Sequence, residues 1–323
     1  SHTAIVTADG AVYTCGLNEH AQLGHSPDAG YVPILHPVAG LPPHDKVVSV
    51  SAGHHHTVCV TEGGELWAWG RNDTSQCGLG ADAPSVVALP AWISGASPGT
   101  PGNAGGVISV AAGPRHNLAV TDNGAVYTWG EGKEGVLGHG ADESWRWGFW
   151  MGDTVEPAPR LVRGLAESGV EVASAAAGLA HSVCVDRTGH VHAWGQGRFN
   201  QLGMGAKNAP AFTTTPTRVP ALGRIRQLSA GGNFTVAVGV DGQMVSWGAN
   251  GNGELGLGNS NDKRGDVPRP VHNTAKASFL SASAGWRHAA AVSSDGRVWT
   301  WGWGGSVGQH GDDADSTGGQ LGL

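Results

Sequence analysis

One unit repeats through the chain and leaves few folds open to it. Its fullest copy spans 278–302, SFLSASAGWRHAAAVSSDGRVWTWG. Three runs of β-type residues alternate apolar and polar, as strands do, and turn signals at Ala284-Gly285 and Asp295-Gly296 separate them. The Asp-Gly step suits a type I′ hairpin turn, whose two central residues both need positive φ. The copy therefore reads as a three-stranded meander closed by Trp301-Gly302. It returns as VVSVSAGHHHTVCVTEGGELWAWG (47–70), VISVAAGPRHNLAVTDNGAVYTWG (107–130), VASAAAGLAHSVCVDRTGHVHAWG (172–195) and IRQLSAGGNFTVAVGVDGQMVSWG (225–248), and a beheaded copy, SHTAIVTADGAVYTCG, opens the chain. The marker glycines Gly53, Gly113, Gly178, Gly231 and Gly285 lie 60, 65, 53 and 54 residues apart. A period of that size built from β signals alone predicts a propeller or another closed β array.

Each copy runs on to a Leu-Gly or Gly-Leu-Gly turn. Its glycine (Gly24, Gly78, Gly138, Gly203, Gly256) stands eight residues beyond the glycine of Trp-Gly, or of Cys15-Gly16 in the first copy. A segment rich in Pro and Val then follows in most copies, as in VPILHPVAGL (32–41) and VEPAPRLVRGL (155–165). Proline cannot donate to a ladder, so this fourth strand belongs at an outer edge. Four strands per copy make one blade, and the blades are expected at about 1–46, 47–106, 107–171, 172–224, 225–278 and 279–323 of one propeller domain.

Repeats of the form SAGxxHTxxVTxxGxVxxWGxNxxGQLG, most complete at 47–80 and 225–258, resemble those of the regulator of chromosome condensation family of seven-bladed propellers. The resemblance covers nearly the whole chain and implies an all-β propeller of four-stranded blades. Six copies are visible; the first begins inside a second strand and the last stops before a fourth. The chain thus reads as a fragment. A seventh blade and the strands that close the ring would then come from residues outside it, or else the ring is smaller or open, and open ladder edges are expected to make the fragment aggregate on its own.

Bulk properties exclude several classes of function. Glycine, 54 of 323 residues, sits at fixed places in each copy, so it marks turns and not low-complexity sequence. Only 14% of residues are charged and the net charge is −7, which gives no general affinity for nucleic-acid phosphate. No run of eighteen apolar residues and no signal-like start is present, so a soluble chain with no membrane partner is expected. Cys15, Cys59, Cys77 and Cys184 form no CxxC pair, and Cys59 and Cys184 share a repeat position filled elsewhere by Ile or Ala. They read as packing residues in a reducing compartment, cytoplasm or nucleus. No P-loop, Gly-x-Ser-x-Gly elbow or HExxH occurs, so no catalytic residue and no cofactor is expected.

Histidine and tryptophan invite sharper readings. His54-His55-His56 looks like a metal cluster, yet His2, His56, His116, His181 and His288 share one repeat position, with Phe234 replacing histidine once. They are expected to be buried struts between backbone groups, with His54 and His55 exposed in a turn and no metal bound. Trp69, Trp129, Trp194, Trp247 and Trp301, with Trp67 and Trp299 two residues before the repeat position, read as inter-blade packing.

Three insertions break the period: 96–106, 141–154 and about 12 residues before Gly322. Insertions in repeat proteins map to loops, often on the binding face. Loops joining strands one and two, and strands three and four, leave a blade at the same end. That places Trp145, Arg146, Trp147, Phe149 and Trp150 with Trp286, Arg287 and Arg115 as the candidate partner contacts, and 96–106 at the other end. The family resemblance implies a protein partner held through the loops of one face. A scaffold or adaptor is the first reading, and guanine-nucleotide exchange on a small GTPase is an activity the family carries. The alternative is a dimerising UV-B photoreceptor, because Gly285-Trp286-Arg287-His288 resembles the Gly-Trp-Arg-His motif that the plant photoreceptors repeat in consecutive blades. Here the matching turns read His54-His55, Pro114-Arg115, Leu179-Ala180 and Gly232-Asn233, so one tryptophan stands where a cluster is needed.

Overall fold

Each repeat folds into an antiparallel sheet whose strands follow one another in sequence, as alternating polarity and two-residue turns require. The computed structural model describes residues 2–25, 30–96, 105–140, 145–146, 149–150, 155–205, 210–220, 222–258, 264–274 and 276–304. Among these, the second to fifth repeats give sheets of four strands in simple up-and-down order, and the first and sixth show three strands each. In the second blade the strands are Val47–Ala52, His56–Thr61, Leu66–Arg71 and Val86–Ile93, with the proline-bearing strand outermost as expected. The architecture is an all-β propeller of four-stranded blades.

Two compact units divide the chain: Ser1–Ala177 with Thr214–Pro216, and Gly178–Thr213 with Thr217–Leu323. Within each, the second strands carry the core. His56–Thr61, His116–Thr121, His181–Asp186 and Phe234–Gly239 are buried along their whole length, because both faces are covered. Trp69, Trp129, Trp194 and Trp247 have no exposed surface. Burying an indole removes about 150–250 Å² from water, on the order of 4–6 kcal/mol each before entropy is charged. Cys59 and Cys184 are also fully buried and free, and burial pushes both thiols up, so their packing role holds.

The Trp-Gly step is a structural device. The ladder between third and fourth strands slips at Thr14/Gly16, Ala68/Gly70, Thr128/Gly130, Ala193/Gly195 and Ser246/Gly248. At each slip the glycine takes a φ between 97° and 111°, the bulge conformation that a side chain opposes.

Consecutive blades are tied by a polar chain that starts at the repeat histidine. In the first unit His2 Nε2 lies 2.8 Å from Thr57 Oγ1, and Thr57 donates to the Gln22 carbonyl at 2.8 Å. The same carbonyl accepts the Trp69 indole N–H at 2.9 Å. One blade further on, His56 Nε2 lies 2.7 Å from Asn117 Oδ1, Asn117 Nδ2 donates to the Gln76 carbonyl at 2.8 Å, and Trp129 Nε1 donates there at 3.0 Å. In the second unit His181 Nε2 meets Thr235 Oγ1 at 3.1 Å, while Trp247 and Trp301 donate to the carbonyls of Gln201 and Glu254. His2, His56 and His181 are struts, as expected, but they bond neighbouring side chains and not backbone groups; His288 is part-exposed. The difference is chemical: the strand residue facing each ring is Thr or Asn, which passes the bond on to the backbone.

This chain fixes the tautomer. Thr57 and Asn117 already donate onward, so they accept from an Nε2–H, and the Nδ1 atoms of His2, His56 and His181 are buried without a partner. Burial, the largest cause in each case, pushes His2 down to about 3 and His56 and His181 down to about 4. The marker glycines have a reason beyond the turn. A Cβ on Gly53 would overlap the His56 ring and lie 2.7 Å from the Gly113 carbonyl oxygen, and one on Gly178 would meet His181 and the Gly231 oxygen in the same way. Neither glycine has a positive φ, so close approach and not conformation selects it.

Candidate protein-binding face

The loops at the end of the blades that carries the Gly-x-x-His turns are built on a second repeated frame. Two residues past the glycine of Trp-Gly, the side-chain oxygens of Asn18, Asn72 and Asn250 accept from the backbone N–H of Leu23, Cys77 and Leu255 at 2.9–3.0 Å. Gln22, Gln76 and Gln201 reach back to the N–H of His20, Thr74 and Phe199 at 2.9 Å, and Glu254 does so to Asn252 at 2.7 Å. Thr14, Thr128 and Ser246 clamp the far side by donating to the carbonyls of Leu23, Leu137 and Leu255, each at 2.7 Å. Sequence reasoning assigned these polar residues no role. Their recurrence at fixed offsets from Trp-Gly was the available signal.

The turn between strands one and two docks beside this loop in the second to sixth blades: the N–H of the residue after the Trp-Gly glycine donates to the carbonyl before the repeat histidine or phenylalanine. Arg71 to His55, Glu131 to Arg115, Gln196 to Ala180, Ala249 to Asn233 and Trp303 to Arg287 all span 2.8–2.9 Å. The two loops therefore share one end of each sheet, as the strand order implied. The frame holds them still and leaves two turn residues and two loop residues per blade to vary. Those positions hold Glu19, His20, His54 and His55; Asp73, Thr74, Pro114 and Arg115; Arg198, Phe199, Gly232 and Asn233; and Gly251, Asn252, Trp286 and Arg287.

The predicted contact residues are distributed over both units. In the first, Arg115 is not an unpaired cation: its Nη1 lies 3.4 Å from Glu131 Oε1, which Lys133 Nζ also approaches at 3.1 Å. Trp145–Arg146 and Phe149–Trp150 form a small antiparallel hairpin with Trp145 opposite Trp150 and Arg146 opposite Phe149. Trp147 lies outside the described residues, as do the insertion at 305–317 and most of 96–106. The described end of that last insertion sits where expected, with the Gly106 carbonyl accepting from Asp122 N in the hairpin turn at the opposite end of the blade. In the second unit Trp286 is 52% exposed, and the Arg287 guanidinium stands 5.7 Å over the Trp303 ring.

The histidine turn needs one correction. His54 is exposed, but His55 is half-buried, stacked on His54 with centroids 4.2 Å apart and edge-on to His20 at 4.8 Å. Burial first, then the neighbouring His54 and His20, pushes His55 down to about 4. Among the described residues no three His, Cys, Asp or Glu side chains are arranged to hold a metal ion.

Comparison with known proteins agrees with this geometry. Yeast RCC1 (Prp20), solved with bound Kap60, superposes with a TM-score of 0.76 at 24% identity over 94% of this chain and 68% of its own. Human WBSCR16 gives 0.76 at 22% identity over 91% and 75%. In sequence, the Ultraviolet-B receptor UVR8 of Arabidopsis thaliana is 30% identical over 308 residues, 94% of this chain and 63% of the receptor. The E3 ubiquitin-protein ligase HERC2 of Homo sapiens is 30% identical over 259 residues, 80% of this chain and 5% of the ligase. The chain thus spans less than two thirds of the length of these curated relatives. A family model described as the RCC1-like domain matches residues 1–322. With the repeat, the bulged Trp-Gly step and the histidine strut all in place, the chain belongs to the RCC1-like domain family of β-propellers.

Proposed function

We propose that this propeller is a non-enzymatic interaction domain that holds a partner protein at the end of its blades bearing the Gly-x-x-His turns. The observation that carries the reading is the contrast between frame and tips. Asn, Gln and Thr side chains immobilise the loops, while the exposed positions differ from blade to blade and include an exposed tryptophan and arginines. A rigid scaffold with variable tips recognises shape and charge at little entropic cost. Tryptophan and arginine are the residues most enriched in interface hot spots. The contacts proposed are Trp145, Arg146, Trp147, Phe149 and Trp150 of the inserted hairpin, with Arg115, Trp286 and Arg287.

Guanine-nucleotide exchange on a small GTPase is the specific activity we attach to this reading. It rests on likeness to yeast Prp20p, a structural relative studied for binding to Gsp1p and histones. The test is retention of partners from a lysate by the wild-type chain and by a Trp147→Ser, Trp150→Ser variant, beside nucleotide release from a purified small GTPase. Retention that vanishes in the variant with its melting temperature unchanged supports the hairpin as contact. Unchanged retention removes it, and wild-type protein that leaves the release rate unaltered removes exchange. The light-sensing alternative draws no support from the turns, where Trp286 is the single tryptophan.

A further inference from the structure

Within the second unit the interaction end is not uniform. The turns 178–180, 231–233 and 285–287 are linked in series: Leu179 N donates to the Gly232 oxygen at 3.0 Å, and Gly232 N donates to the Trp286 oxygen at 3.2 Å. The middle turn, Gly231-Gly232-Asn233, has no side chain at its first two positions, and a Cβ on Gly232 would overlap the Trp286 carbonyl. On one side stands the loop carrying Arg198 and Phe199, seated through Gln201, whose Nε2 lies 3.5 Å from Asn233 Oδ1. On the other stands the turn carrying Trp286 and Arg287. Phe199 is 39% exposed and Trp286 is 52% exposed. The result is a low glycine floor between two exposed aromatics, each followed or preceded by an arginine.

The charge at this place opposes the charge of the chain. The protein as a whole carries −7, yet the notch presents arginine at both sides. Carboxylates of the fifth blade are engaged elsewhere. Glu254 is 4% exposed and accepts from the N–H and Nδ2 of Asn252, and Asp266 pairs with Arg269 at 3.1 Å. Arg287 has an aromatic ring beneath it and no carboxylate partner among the described residues. A protein surface that covered this guanidinium without supplying an anion would leave a desolvated, unpaired charge. A carboxylate would instead meet a guanidinium that already stands over the Trp303 ring.

Building on the interaction reading above, we infer that the notch bounded by Phe199, Gly232, Trp286 and Arg287 takes an acidic segment of the partner protein that carries one large apolar side chain. The apolar side chain sits over the glycine floor and a flanking carboxylate pairs with Arg287. The probe is a fluorescein-labelled peptide of glutamates around a central phenylalanine, titrated with the full chain and read by anisotropy. Control peptides replace glutamate by lysine, or phenylalanine by alanine. The glutamate peptide should bind, weaken more than tenfold with Arg287→Glu and with Trp286→Ala, and weaken as salt is raised. Arg297→Glu, at the opposite end of the sixth blade and 76% exposed, should leave binding unchanged. Equal binding of glutamate and lysine peptides, or full affinity in Arg287→Glu, overturns the inference. Binding that emerges only after Asp312, Asp313 and Asp315 are changed to Asn gives the notch to the chain's own acidic stretch and overturns it too. A dimer that Arg287→Glu converts to monomer assigns the notch to a second copy and likewise overturns the inference. Failure here while the Trp147→Ser, Trp150→Ser variant still loses its partner sinks this inference and leaves the proposed function standing.

Discussion

Lowering the pH from 7 to 5 should destabilise this fold through the histidine struts. In the native state His56 and His181 are wholly buried, each bonded through Nε2, each with an Nδ1 that has no partner, and each held at about 4 where an unfolded histidine titrates near 6.5. A depressed histidine pKa means the unfolded chain binds protons first, so stability is complete above 6.5 and falls as the pH drops toward 4. At pH 5 the unfolded form of each residue is mostly protonated and the native form mostly neutral, which removes about 2 kcal/mol per histidine. Two residues give about 4 kcal/mol, a large share of a typical 5–15 kcal/mol stability. His2 and His55, both half-buried, act in the same direction. The carboxylates of Asp73 and Asp186, held at about 2 against an ordinary 3.8, begin to act only below the window. Urea unfolding followed by tryptophan fluorescence at pH 7, 6 and 5 should show the midpoint falling by on the order of 1 M. A His56→Gln, His181→Gln variant keeps a donor at each site without a titrating ring, and should lose most of that slope. A midpoint flat between pH 7 and 5, or a full slope in the variant, would refute the reasoning.

Two further outcomes follow from single contacts. Gly203→Ala should destabilise by about 2–4 kcal/mol, because φ is +68° and the new methyl lies 3.0 Å from the buried Trp247 indole; Gly253→Ala, at φ +80° with nothing within 4 Å, should cost only the backbone strain of about 1 kcal/mol. Comparing the two by thermal melts separates crowding from conformation, and equal losses would reject the crowding account. Gln227 forms a two-bond bridge to Ala282 of the next inner strand, N–H to Oε1 at 3.0 Å and Nε2 to carbonyl at 2.8 Å, so Gln227→Ala should cost about 1–3 kcal/mol by orphaning that pair. Amide exchange at Ala282 should rise in the variant, and unchanged protection would discard the bridge.

The blade order, the outer proline strand and the structural histidines were legible because each repeats, and a repeat turns position into evidence. What the histidines bond was not legible. His56 finds Asn117 and His181 finds Thr235 at separations of more than fifty residues, and no local pattern in the chain names such a partner. The glycines showed the same limit. Gly53 and Gly70 look alike in sequence, yet one is chosen because a histidine ring lies on it and the other because its φ is +107°. Of the candidate site, the exposed Trp286 was readable as a residue outside the repeat's packing set. The ion pair that occupies Arg115 was hidden, since Glu131 becomes its neighbour only when the third strand returns beside the second.

That contrast bears on how partner choice can change without loss of fold. Repeat side chains hold the loops at this end, as in Asn72 to Cys77, Gln76 to Thr74 and Asn117 to the Gln76 carbonyl, and at 54–55, 114–115 and 286–287 the turn pair contributes its backbone carbonyl. The side chains at 54–55, 114–115 and 286–287 lie outside that network, and replacing them leaves the inter-blade chain of His, Thr or Asn, Gln and Trp unbroken. On the proposed function, stability and recognition reside on different residues of the same four-residue turn. The first is set by its glycine and histidine, the second by the pair between them. A swap of Trp286-Arg287 for the Pro-Arg of the third blade should accordingly alter what the domain binds while its melting temperature stays within a few degrees. A melt lowered as far as that of a His56→Ala variant would show that the pair belongs to the frame after all.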